Sequence, residues 1–257
     1  MRTVSGWAAV VLVGLGAVVA QAFGRFTYSV LLPAIRNDLD HSNTVAGLLG
    51  TTNVLAYLVG TFVVASLTTR FPLLTVLRTG FAFSLGGIAL AAVAPNVFVL
   101  SIALFSMGFG GALIWVPSPA IAAAAVGPHQ RGLAVGTIGG GVGFGIVVSG
   151  QLARVVRDRS GDSAWRDVYR IDLVLGVVIV VAIILLLRHS QNAPSGQPVG
   201  GAGFGVLRKM PGWIPITGAY ITYGFSYLIA ISFLTSRLED DAGFSEGLAS
   251  TMFTILG

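Results

Sequence analysis

From Trp7 to Ile35 the chain carries a single charged residue, Arg25. Wound as one helix at about 1.5 Å per residue, a run of that length exceeds the roughly 30 Å of bilayer hydrocarbon. Arg25 is thereby placed at membrane depth, where a guanidinium is normally tolerated only when it faces a protein interior or a wet cavity. Gln21, Arg25, Tyr28 and Ser29 recur at the i, i+4, i+7, i+8 spacing of one α-helical face. This polar stripe on a lipid-like helix is the candidate lining of a solute path. The competing reading is that Arg25 donates to backbone carbonyls and holds helices together.

The remaining sequence repeats the pattern. Soluble domains carry about 25% charged residues; this chain of 257 residues carries 10%, with 54% hydrophobic residues and a mean hydropathy of +0.86. It reads as an all-α polytopic membrane protein. Ala20-Gln21-Ala22 imitates a signal-peptide cleavage site, but the apolar run continues to Pro33, so the segment is kept as a first span. Further spans are predicted at Thr44–Leu67, Leu73–Ala94, Val97–Val126, Leu133–Ala153, Val168–Leu187 and Trp213–Ser236. An eighth opens near Glu246, and Gly257 falls part-way through it. The expected organisation is a six-helix unit over 1–187, a flexible Gly/Pro/Ser-rich cytoplasmic linker over 188–211, and the start of a second unit over 212–257. Seven helices and part of an eighth suggest a fragment of a longer protein.

Charge excludes several functions. The net charge is +5, yet the basic residues are scattered Arg with one Lys, so no nucleic-acid surface is expected. Cysteine is absent, which removes disulfides, thiolate metal sites and a Cys nucleophile. His41, His129 and His189 stand far apart in loops, so no metal site, cofactor or enzyme activity is expected. With the N-terminus inside, the basic loop residues divide evenly between the two sides and the acids, from Asp38 to Glu246, are read onto the outer loops. That leaves no carboxylate or His within the spans to relay protons, so coupling is assigned to helices beyond this chain, or transport to facilitated diffusion or exchange.

Sliding the chain by 199 residues sets Phe26-Thr27-Tyr28 on Phe225-Ser226-Tyr227 and Leu39-Asp40 on Leu238-Glu239. After a four-residue slip, Ser42 to Ala46 meets Ser245 to Ala249. Six spans, a linker and a parallel repeat form the plan of two-half secondary transporters. Gly24-Arg25-Phe26, Leu31-Leu32-Pro33-Ala34 and Asn53-x-x-x-Tyr57-x-x-Gly60 resemble the major facilitator superfamily, most of all its YbfB/YjiJ-like branch. The resemblance implies a major-facilitator-type helical bundle in a bacterial inner membrane, working by alternating access, with solute between two halves. Where that family carries an Asp and a second Gly in the loop between helices two and three, this chain has Thr69 and Pro72; Leu67 and Arg70 match.

Four further clusters bear on the site. Asn53 and Tyr57 share one face of the second span, either lining the cavity or clasping a neighbour. Trp115-Val116-Pro117-Ser118-Pro119 breaks the fourth span, and its freed carbonyls and Ser118 either bind a ligand or mark a bend. In the fifth span Gly136, Gly139, Gly140 and Gly143, with Gly141 and Gly145, form small-x-x-x-small ridges for helix packing. Tyr220, Tyr223 and Tyr227 line one face of the seventh span, opposite Arg25 by the repeat. A cation facing aromatic rings suits a small organic anion. The expected function is therefore secondary active or facilitative transport of such a solute, with the bilayer, the solute and the missing C-terminal half as partners. Hydrophobic-drug efflux is the alternative on the same fold, and a non-transporting seven-helix sensor or receptor the alternative outside it.

Overall fold

A computed structural model describes residues 6–39, 41–187 and 211–255. The predicted linker, apart from Pro211, lies outside the described residues, as do Asp40, His189 and Lys209. Seven helices are long and apolar enough to cross a membrane: α1 (Gly6–Asp38), α2 (Asn43–Leu67), α3 (Leu73–Ala91), α4 (Val97–Ala125), α5 (Pro128–Ser160), α6 (Asp162–Leu186) and α7 (Trp213–Asp241). A short α8 (Glu246–Thr254) follows. No strand occurs among the described residues.

The central helix is α1. Its apolar residues point in all directions, from Val10 and Val13 through Ala17, Val19 and Phe23 to Leu31 and Ile35, and all of these are buried. A helix that is hydrophobic all round belongs in the middle of a bundle. Helices α3 to α7 all pack on it. By contrast α7 is the outlier, with only 6% of its apolar window buried against 72% for α1. The two run parallel where they meet. Thr235 Oγ1 donates to the Ser29 carbonyl at 2.7 Å, and further along Arg36 pairs with Asp240.

Small residues set the closest approaches, as membrane packing requires when apolar surface alone gives no advantage over lipid. A Cβ on Gly108 of α4 would overlap the Asn53 carbonyl of α2, and one on Gly110 would lie 2.6 Å from the Gly80 carbonyl of α3. On α5 the contacts to α1 run through Gly141, 2.6 Å from the Gly14 carbonyl by the same test, and through Gly145. Nothing among the described residues lies within 4 Å of a Cβ placed on Gly136, Gly139 or Gly140, because those positions turn away from α1. Gly143 is partly exposed between the two sets.

Helix ends follow local chemistry. Ser42 and Asn96 accept from the backbone amides of Val45 and Val99, capping α2 and α4. The Pro117 pair divides α4 into Val97–Trp115 and Ser118–Ala125. Helices α5 and α6 are both longer than the apolar runs that predicted them. The Arg-rich segment between them is helical up to Ser160 and reverses at Gly161, whose φ of 75° favours a residue without a Cβ.

Candidate functional site

Within α1 the backbone widens to a π-helical turn over Val18–Phe26, and Arg25 sits on it. Such turns are rare and frequently coincide with functional sites. The Arg25 guanidinium lies 5.9 Å from the ring centroids of Phe26 and of Tyr57 on α2, and is close enough to Tyr227 on α7 to feel its hydroxyl. Gln21, one turn earlier, lies near the Tyr57 hydroxyl. Tyr223 stacks on Tyr227 with centroids 5.8 Å apart. No carboxylate pairs with Arg25 among the described residues. Gln21, Arg25, Tyr57, Tyr227 and Tyr223 therefore form one group: an unpaired cation rimmed by phenols.

The other candidates are elsewhere. Tyr28 is buried, and its hydroxyl donates to the Ala46 carbonyl at 2.7 Å. A π turn rotates less per residue than an α turn, so position i+7 does not return to the face of Gln21 as α spacing predicts. Asn53 is an interhelical clasp, its amide donating to the carbonyls of Gly24 on α1 (3.0 Å) and Leu104 on α4 (2.9 Å). Ser118 is fully buried and donates to Ile114 of its own helix at 2.6 Å. Trp115 packs against the core beside this bend.

Two charged groups escaped the sequence reading. Asp172 is not in a loop. It lies inside α6, wholly buried, with Oδ2 accepting from Thr27 Oγ1 at 2.7 Å. Its signal was present in the sequence: Trp165 and Tyr169 precede it on a helical stripe, so the span begins before Val168 and Asp172 is about two turns deep. The second is Arg157, expected in an exposed loop but buried at the acid-rich end of the bundle. It donates to both Glu239 oxygens (2.7 and 2.9 Å) and to Asp162 (2.8 Å), tying α5 to α7. Arg166 and Trp165 both donate to Asp38 at the same end. An open cavity of about 800 Å³ lies there, between Arg154, Asp158 and α8, remote from Arg25.

Comparison with known proteins agrees with this architecture. Residues 14–257 match the family model of the Major Facilitator Superfamily. The chain is 28% identical over 238 residues to a probable actinorhodin transporter of Streptomyces coelicolor, covering 85% of this chain and 41% of that protein. It is 32% identical over 119 residues to a multidrug resistance protein B homolog of Mycobacterium tuberculosis, covering 44% of this chain and 20% of that protein. The chain thus spans less than half the length of these curated relatives. Among solved structures, a bacterial homolog of the human lysosomal transporter Spinster, inward-facing and unoccupied, superposes with a TM-score of 0.74 at 18% identity, over 96% of this chain and 58% of that one. A D-xylose-proton symporter superposes with a TM-score of 0.68 at 15% identity, over 96% and 64%. The relatives are transporters rather than enzymes, and the solved structures share the all-helical fold. With its seven apolar helices around a central α1, this chain is an integral membrane protein that belongs to the major facilitator superfamily of transporters.

Proposed function

We propose that the face of α1, α2 and α7 around Arg25 is the solute-binding wall of a transporter for small organic anions bearing an aromatic or apolar body. One observation carries this reading: a guanidinium at membrane depth with phenol rings around it and, among the described residues, no acid paired with it. A charge in that position is retained when it has a partner, and an anionic solute supplies one. Arg presents a planar fork of donors that suits a carboxylate or sulfonate, while Tyr57, Tyr223 and Tyr227 offer stacking area. The N-terminus faces the cytoplasm of a bacterial inner membrane, solute crosses by alternating access against a second helical half, and the 199-residue repeat marks where that half begins. Gly24-Arg25-Phe26 and the Asn53/Tyr57/Gly60 spacing support placement in the YbfB/YjiJ-like branch.

The test is uptake of a panel of aromatic carboxylates and sulfonates into cells producing the protein. Arg25→Ala removes a charge-assisted contact worth about 1.5–3 kcal/mol, so half-saturation rises about tenfold or more with membrane insertion unchanged. Unchanged kinetics for every saturable anion overturn the role. The names of two relatives, an actinorhodin transporter and a multidrug resistance homolog, favour hydrophobic-drug efflux as the second reading. It requires export of neutral or cationic dyes that is indifferent to Arg25.

A further inference from the structure

Asp172 is the one described acid set away from the charged end of the bundle. Its neighbours come from three helices: Thr27 of α1 at 2.7 Å from Oδ2, Ser149 of α5 at 3.2 Å from the same Thr27 hydroxyl, and Tyr169 one turn back on α6. Tyr28 of α1 lies near Tyr169. Neither the second carboxyl oxygen, Oδ1, nor the Tyr169 hydroxyl finds a hydrogen-bond partner among the described residues, and both are shut off from solvent. No described basic side chain forms an ion pair with Asp172. Arg36 pairs with Asp240, Arg154 with Asp158, Arg157 with Glu239 and Asp162, and Arg25 faces Tyr57, while Arg78 of α3 and Arg131 and Arg159 of α5 form no ion pair among the described residues. On α6 itself, Arg166 pairs with Asp38 and Arg170 with Asp167. A carboxylate removed from water without a cation is costly, whereas a proton on Oδ1 cancels the charge and leaves Oδ2 free to keep the Thr27 bond.

Thr27 is also the residue that closes the π turn. Its backbone amide donates to the Ala22 carbonyl, and its hydroxyl lies 3.4 Å from that same oxygen. Arg25 stands two residues before it on that turn. We propose that Asp172 is a proton-binding site of the transport cycle, linked through Thr27 to the π turn that carries Arg25. The step is a simple equilibrium: one proton from water adds to Oδ1 and forms a neutral carboxylic acid, with no other bond made or broken. When the carboxylate charge is lost, the Thr27 bond is kept but drops from a charge-assisted to a neutral one, so the hydroxyl is shared more evenly with Ser149 and the Ala22 carbonyl, altering the turn on which Arg25 is displayed. Asp172 is a positioning residue in this scheme. Only the coupling to solute rests on the Arg25 reading; the proton site stands without it.

Infrared difference spectroscopy of the purified full chain in lipid, stepped from about pH 5 to about pH 9, reads a protonated carboxyl directly and needs no solute. The expected result is a carboxylic-acid carbonyl band that titrates in the wild type and is absent in Asp172→Asn. In Thr27→Val, which removes the sole donor to the carboxylate among the described residues, the titration moves about one unit to higher pH, a tenfold tighter proton. The same band in Asp172→Asn, a band that does not titrate across the range, or a Thr27→Val titration identical to wild type overturns the proposal. If Asp172→Asn does not insert, the Thr27→Val titration decides alone. Arg25→Ala keeps the band if only the solute reading fails, and loss of the band leaves Arg25-dependent uptake in place, so the two ideas fail separately.

Discussion

The tie between Arg157 and Glu239 is open to a double-mutant cycle: Arg157→Met, Glu239→Leu and the two combined. The Arg157 side chain is wholly buried, and Glu239 retains only 11% of its side-chain exposure. Two parallel bonds at 2.7 and 2.9 Å make the pair bidentate, and a third runs from Nε to Asp162. Removing one partner of a buried pair costs about 3–5 kcal/mol, because the other charge is stranded. Asp162 and Glu239 both keep some contact with water, and Arg157 keeps Asp162 when Glu239 is removed, so about 3 kcal/mol is the expected loss for either single change. The double variant replaces the pair with apolar side chains of similar volume but still removes the partner of Asp162, so it costs about 3 kcal/mol instead of the roughly 6 kcal/mol that two independent losses would sum to, a coupling energy of about 3 kcal/mol. At about 2–4 °C per kcal/mol, each single substitution lowers the unfolding midpoint by about 6–12 °C. Thermal unfolding in detergent, followed by tryptophan fluorescence at low and high salt, measures all four corners. A buried pair is little affected by salt. A coupling below about 0.5 kcal/mol, or one that disappears in salt, is the behaviour of an exposed pair and would refute the reasoning.

Two further outcomes follow from the packing. Gly108→Ala drives a methyl group into the Asn53 backbone carbonyl, which cannot move aside as a side-chain end does, so the midpoint falls by an amount typical of overpacking, about 1–3 kcal/mol or more. Gly139→Ala on α5, with open space beside it, is neutral or gains up to about 1 kcal/mol of helix propensity; thermal unfolding of the two variants side by side checks the contrast, and equal losses would contradict it. Asn53→Leu removes both bonds of the clasp between α1, α2 and α4, for a loss of about 1–3 kcal/mol at the strengths measured for polar bonds in membranes. An Asn53→Leu protein as stable as wild type but with altered uptake would move Asn53 from the scaffold into the solute path.

The helices themselves were legible because a bilayer imposes one strong rule. Every backbone polar group must be paired within the segment, so an apolar run of sufficient length becomes a helix. Thus α2, α3 and α4 begin where the runs from Thr44, Leu73 and Val97 predict, to within a residue. Helix length was harder to read once charge entered. Hydropathy placed Arg157 in a loop, since nothing in its own neighbourhood shows that Glu239, 82 residues later, will meet it. Asp172 was passed over for a related reason. An apolar average hides one acid near the end of a run, although Trp165 and Tyr169 ahead of it mark the true start of α6.

What the sequence determined by itself is the class of molecule. A cysteine-free chain of long apolar runs with one arginine in the first of them becomes a helical membrane bundle with that arginine at depth. Tertiary structure decided which side chains meet. The π turn in α1 keeps Gln21 with Arg25 and directs Tyr28 to Ala46; Gly141 and Gly145, rather than Gly139 and Gly140, were chosen by the shape of α1; and Thr27 was delivered to Asp172 across 145 residues of chain. Periodicity describes one helix at a time. Partner choice depends on how several helices share a small volume, and no local pattern encodes that.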